Sequence, residues 1–236
     1  MRRLLLVSTS TTFGTGYLDH CADEMRDVLG ADVREILFVP YALHDRDAYA
    51  QRARERFAQL GFALTSMHEI HDPASAVERA EALFIGGGNT FRLLRELRTC
   101  GLLEPIRRKV AAGMPYLGTS AGSNVACITI KTTNDMPIVE THGLDALALV
   151  PFNINPHYVD PEPGATHMGE TRETRIREFH EENDPAVVGL REGALLRVEG
   201  DRMRLCGSAG ARLFRRGVLP EEIPAGGCLD FLLRPA

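Results

Sequence analysis

Pro115-Tyr116-Leu117-Gly118-Thr119-Ser120-Ala121-Gly122 runs from a short apolar stretch through a G-x-S-x-G turn into small residues. Strand, tight turn, helix is the order of a nucleophile elbow, in which the turn lifts a serine hydroxyl above the edge of a sheet. Glycines flank the serine because a Cβ on either side would meet the neighbouring strand or helix. The helix that starts beneath it turns backbone N–H groups toward a developing oxyanion. Ser120 is the candidate nucleophile.

Upstream of the elbow, apolar runs alternate with amphipathic stretches, the sign of βαβ units on a parallel sheet. The pattern predicts strands at Arg3–Ser8, Glu35–Val39, Phe62–Met67 and Leu83–Ile85. It places helices at Tyr17–Leu29, Asp45–Leu60, Ala74–Ala82 and Thr90–Leu97. Gly61 is a helix stop. Beyond residue 130 the alternation gives way to loops, with a helix near Glu170–Glu182. From Val187 a run of short strands turns at Glu192-Gly193, Gly200-Asp201 and Gly207. Gly207-Ser208-Ala209-Gly210 copies part of the elbow without a helix after it and reads as a hairpin turn.

The chain has 236 residues, 44% apolar and 25% charged, with a net charge of -5. These values predict one globular α/β domain over residues 1–236. The acidic balance speaks against nucleic acid, whose binders cluster Lys and Arg along phosphates. No stretch reaches the ~20 apolar residues of a membrane helix, and the Met1–Val7 start lacks a signal-peptide pattern. A cytoplasmic location is expected, with no membrane partner. Five scattered cysteines without a C-x-x-C pair indicate neither a disulfide framework nor a zinc site. His68 and His71 do not form a recognised ligand pattern either, so no metal is expected.

A serine nucleophile needs a base, and histidine serves because its pKa lies near neutrality. His157, in Asn153-Ile154-Asn155-Pro156-His157-Tyr158, lies in a polar loop downstream of the elbow. His142 and His167 are alternatives in other loops. A carboxylate must then fix the imidazole tautomer. Asp135, in Thr132-Thr133-Asn134-Asp135-Met136-Pro137, and Glu192, in Gly189-Leu190-Arg191-Glu192-Gly193, both qualify, and spacing does not separate them. Gly86-Gly87-Gly88-Asn89-Thr90 lacks the lysine of a phosphate loop. Its glycines suit a backbone N–H that approaches the reacting carbonyl.

Ile85-Gly86-Gly87-Gly88-Asn89-Thr90-Phe91, the elbow, Thr132 to Val139 and Ile154-Asn155-Pro156-His157 together resemble the peptidase E family of α-aspartyl dipeptidases. Gly169-Glu170-Thr171-Arg172-Glu173 and Gly189–Gly193 carry the resemblance over nearly the whole chain. It implies a flavodoxin-like, largely parallel sheet with helices on both faces, similar to class I glutamine amidotransferases, with a short-stranded C-terminal part. It also implies a serine dipeptidase acting on peptides with an N-terminal aspartate, without metal or cofactor, as a monomer or homodimer. Ser120 matches the family nucleophile and His157 its base, while Asp135 and Glu192 both match positions of the acid. The oxyanion hole would comprise the N–H groups of Gly88 and Ala121. Asn89 and Arg172 would bind substrate, with Arg175 and Arg177 as further cations. Ser123 departs from the alanine familiar after the elbow. A cyanophycinase-like hydrolase of β-linked aspartyl substrates is the rival on the same scaffold.

Overall fold

In the computed structural model, which describes residues 1–161, 164 and 169–234, the chain runs through eleven strands and seven α-helices. The order begins β1 (Arg3–Val7), α1 (Ala22–Leu29), β2 (Glu35–Val39), α2 (Arg46–Leu60), β3 (Ala63–Ser66), α3 (Pro73–Arg79) and β4 (Ala82–Ile85). It continues with α4 (Thr90–Thr99), α5 (Leu103–Ala111), β5 (Tyr116–Thr119) and α6 (Ala121–Val125). The remainder is β6 (Asn153–Pro156), α7 (Arg172–Glu182), β7 (Val187–Leu190), β8 (Ala194–Glu199), β9 (Arg202–Gly207), β10 (Ala211–Phe214) and β11 (Glu221–Ile223).

The main sheet has the order β3-β2-β4-β5-β1-β8-β9. Its first five strands are parallel, and β8 and β9 extend it antiparallel. The strands read as unbroken apolar runs because both faces are covered. Leu4, Leu6, Leu37, Val39, Leu83 and Ile85 face one core with residues of α4, α5 and α6. Leu5, Val7, Ile36, Phe38, Ala82 and Phe84 face the other, with α1 and α2. Phe38 and Phe84 stack there at 5.0 Å between ring centroids. This is the expected α/β architecture, and side chains alternate between the faces as the pleat requires.

Helix starts follow local chemistry. The Asp45 carboxylate accepts the Ala48 N–H at 2.9 Å to cap α2, and Thr171 caps α7 through the Thr174 N–H at 3.1 Å. The helix α5 goes unassigned in the sequence reading. Its Pro105 sits in the first turn, where a missing N–H costs no helical bond, and Ile106 and Val110 are buried.

The second half departs from the sequence reading in two places. Asn153–Pro156, read as loop, is strand β6, paired parallel with β7 in a second sheet of order β11-β10-β7-β6. Buried Asn153 and Asn155 mask it, since their amide NH₂ groups donate within the chain, Asn153 to Thr129 and Asn155 to Thr132 and Asn134. Gly207–Gly210 is not a hairpin turn, because β9 belongs to the main sheet and β10 to the second. The Ser208 N–H bonds the Gly193 carbonyl at 3.0 Å as the chain crosses over.

Candidate active site

The elbow forms where β5 meets α6. Ser120 holds φ 52° and ψ -108°, a conformation costly for a residue with a Cβ. Four hydrogen bonds hold it there. The Ser120 N–H bonds the Val7 carbonyl at 2.9 Å, and the buried Tyr116 hydroxyl donates to the Gly122 carbonyl at 2.6 Å. Ser123, where the family resemblance would also allow alanine, places its hydroxyl 2.7 Å from the Val7 carbonyl and 2.8 Å from that of Gly118. A Cβ on Gly122 would lie 2.0 Å from the Ile85 carbonyl oxygen, so the glycine after the serine has a steric cause.

His157 follows β6 directly, also at positive φ, 52°. Its Nε2 lies 2.8 Å from Ser120 Oγ and its Nδ1 lies 2.8 Å from Glu192 Oε1. With Nδ1–H donating to the carboxylate, Nε2 is left as an acceptor facing the serine hydroxyl. The neighbour of Glu192, Arg191, is clamped by Asp160 at 2.7 Å and Glu222 at 3.0 Å. Those two carboxylates raise the Arg191 pKa, and the clamp fixes the backbone from which Glu192 projects.

Ser8 is a site residue that the sequence reading missed. Its hydroxyl accepts the His157 N–H at 2.9 Å and donates to the Leu190 carbonyl at 2.7 Å. A lone buried serine at a strand end carries no motif. Only its meeting with β6 and β7 gives it a role.

Asp135 sits elsewhere in the same cleft. Its Oδ2 accepts the Thr90 N–H at 2.7 Å, the Thr90 hydroxyl at 2.6 Å and the Thr133 hydroxyl at 3.2 Å. It thus stabilises the start of α4 and makes no hydrogen bond to His157. The two candidate acids, inseparable by spacing, are separated here. Asn134 and Thr132 tie this segment to β6 by donating to the carbonyls of Pro156 and Ile154 at 2.6 and 2.8 Å.

Asn89, expected to bind substrate, is used within the chain. Its Oδ1 caps α4 through the Arg92 N–H at 3.0 Å, and its Nδ2 donates to the Met136 carbonyl at 2.9 Å. Arg172 opens α7, half-buried. Burial first, and then Arg175, lower its pKa against the opposing pull of Asp135. Arg175 pairs with Glu170 at 3.4 Å and Arg177 with Glu173, whereas Arg172 has no ion pair among the described residues. His142 lines another surface depression with Phe91 and Pro137. His167 lies outside the described residues.

Ser120, His157, Asp135, Gly87 and Gly88 line one open cleft of about 400 Å³, together with Thr9, Ser10, Tyr17, Leu43, Tyr49 and Arg52. Gly88 has φ 134°, and a Cβ there would lie 2.6 Å from the Ala42 carbonyl oxygen. A Cβ on Gly87 would meet Ser120 Cβ at 3.0 Å. Among the described residues, the N–H groups of Gly88 and Ala121 have no acceptor. No helix among these residues is long and apolar enough to cross a membrane.

A mostly parallel sheet with helices on both faces, and a serine, histidine and glutamate in hydrogen-bonded line at its edge, define a serine-type hydrolase with a class I glutamine amidotransferase-like fold. Residues 4–206 match peptidase family S51. Peptidase E of Streptomyces coelicolor is 54% identical over 230 residues, covering 98% of this chain and 94% of that protein. A protein of Drosophila melanogaster named probable alpha-aspartyl dipeptidase is 47% identical over 235 residues, covering 99% and 98%. The crystal structure of a peptidase from an acI-B1 Actinobacterium superposes with a TM-score of 0.71 at 17% identity over 97% of this chain and 96% of that one, a likeness of fold. The chain belongs to peptidase family S51.

Proposed function

We propose that this chain hydrolyses dipeptides bearing an N-terminal L-aspartate through an acyl-enzyme on Ser120. The observation that carries the proposal is the continuous contact from Ser120 Oγ through the His157 ring to Glu192 Oε1, both distances 2.8 Å. Substrate class rests on the names of relatives about half identical over almost their full length.

In this reading His157 Nε2 takes the Ser120 proton as Oγ attacks the aspartyl carbonyl. The oxyanion meets the N–H groups of Gly88 and Ala121, a pair of donors of which one is typically worth ~10²–10³ in rate. His157 returns its proton to the departing amine. Water then enters, His157 removes its proton, and collapse of the second tetrahedral species frees aspartate and restores the serine. Glu192 stabilises the imidazolium without taking its proton. Arg172, without an ion pair among the described residues, pairs with the substrate's side-chain carboxylate, for which a guanidinium fork is well shaped. Asp135, which lines the cleft, serves as an anchor for the start of α4 through its Oδ2. No metal or organic cofactor takes part.

Both sheets build the site, since Ser120 leaves the main sheet while His157 and Glu192 leave the second. This supports treating residues 1–236 as one peptidase domain. Five free cysteines suit a reducing compartment and support a cytoplasmic enzyme, working as a monomer or homodimer.

Initial rates on Asp-Leu, Glu-Leu, Ala-Leu and β-Asp-Leu, with chelator present, test the reading. Cleavage confined to Asp-Leu, lost in Ser120→Ala with the circular dichroism spectrum intact, is the expected result. Preference for β-Asp-Leu would move the assignment to the isopeptide class, and retained activity in Ser120→Ala would overturn the nucleophile.

A further inference from the structure

Four arginines lie on α2, and three of them are neutralised by carboxylates. Arg46 pairs with Glu96 at 2.9 Å, Arg54 with Glu69, and Arg56 with Asp19 at 2.8 Å. Among the described residues Arg52 has no carboxylate partner. Its guanidinium instead lies 4.1 Å from the centroid of the Tyr17 ring, and both residues line the cleft that holds Ser120. A guanidinium stacked on an aromatic face is oriented while its N–H fork stays available for a carboxylate.

The cleft is charged differently in two regions. At Asp135 the cleft offers an anion, and the Arg172 guanidinium lies close enough to that carboxylate to feel its charge. An N-terminal aspartate carries the matching set, a side-chain carboxylate and an ammonium. Near Arg52 the neighbours are the hydroxyls of Tyr17 and Tyr49, both held protonated by burial, so this region offers a cation without an anion. The second residue of a dipeptide carries only its C-terminal carboxylate.

We propose that Arg52, held on Tyr17, binds the C-terminal carboxylate of the substrate and thereby limits the enzyme to dipeptides. The inference rests on the aspartyl dipeptidase reading above and adds its length selectivity. A third residue would carry that carboxylate about 3.3–3.6 Å farther along the chain and set a neutral amide against the cation.

The test compares Asp-Leu, Asp-Leu-amide and Asp-p-nitroanilide as substrates for wild type, Arg52→Gln and Arg52→Lys. Loss of a charge-assisted contact is worth about 10–10²-fold. Wild type should favour Asp-Leu over its amide by about that factor. Arg52→Gln should lose the preference through a raised KM for Asp-Leu, and its fall on the anilide, which has no leaving-group carboxylate, should be at least about tenfold smaller. Arg52→Lys should restore part of the preference. An equal fall on all three substrates, or an unchanged KM for Asp-Leu in Arg52→Gln, would overturn the proposal while leaving the dipeptidase reading in place. A wild type inert on both Asp-Leu and the anilide would overturn the reading and the proposal together.

Discussion

Ser8 and His157 are joined by a 2.9 Å hydrogen bond from the histidine backbone N–H to the serine hydroxyl, which in turn donates a hydrogen bond to the Leu190 carbonyl at 2.7 Å. One side chain at the end of β1 thereby fastens the ends of β6 and β7, where His157 holds its positive φ. Ser8→Ala leaves the His157 N–H unpaired, while the Leu190 carbonyl keeps the Tyr158 N–H at 3.1 Å, a loss of about 1–3 kcal/mol in stability. It also loosens the imidazole, so kcat should fall about 10–10²-fold with KM little changed. Urea unfolding and steady-state kinetics check the two parts. A rise in KM together with the fall in kcat would point to general loosening instead of histidine placement.

Asp135 and Glu192 should respond differently to removal of charge. Glu192→Gln leaves the geometry near His157 but cannot stabilise its cation, and kcat should drop about 10²–10⁴-fold. Asp135→Asn weakens the hydrogen bonds to Thr90 and should act mainly on stability and KM. Parallel kinetics and thermal melts separate them. A larger kcat loss in Asp135→Asn would reverse the assignment.

Burial pushes the His20 imidazole below its ordinary value of 6.5, against the opposing influence of the Thr9 backbone and of Asp19, Glu24 and Glu192. The unfolded chain therefore binds a proton near pH 6.5 that the folded chain still refuses. Because the unfolded state holds more protons, stability should fall as pH drops below about 6.5, until the folded His20 itself titrates. Urea midpoints at several values between pH 7.5 and 5 should show wild type losing more stability than His20→Gln. Equal slopes would count against His20 as the source.

Gly122→Ala drives a Cβ to within 2.0 Å of the Ile85 carbonyl oxygen, between two elements that cannot separate without opening the elbow. The expected cost is about 3 kcal/mol or more. Gly217→Ala, at φ 70° with no atom near the added Cβ, should cost only about 1–2 kcal/mol of backbone strain. Denaturation midpoints of the two variants give the comparison, and equal costs would show that the elbow relaxes.

The legible parts of this chain are those written in local pattern. Apolar runs separated by amphipathic stretches give the parallel strands and their covering helices. Gly118-Thr119-Ser120-Ala121-Gly122 gives the turn and its serine. Strand β6 was hidden because its buried asparagines look like loop residues until their partners, Thr129, Thr132 and Asn134, are in place. The internal partners of Asn89, Arg92 and Met136, are equally illegible in sequence, since they come together only when α4 meets the 132–139 segment.

By itself, then, the sequence determined the sheet class, and it offered a candidate nucleophile and a short set of candidate partners, because each of these rests on residues within a few positions of one another. The choice of Glu192 over Asp135 as the partner of His157 was made by tertiary structure alone. Parallel pairing of β6 with β7 sets Pro156 beside Leu190, so the residues that follow the two strands leave the sheet at the same edge. His157 and Glu192 meet there across 35 positions of chain, while Asp135 is drawn off by the unpaired N–H at the start of α4. No spacing rule encodes that outcome, since it depends on strand register and on which carboxylate a helix terminus claims first.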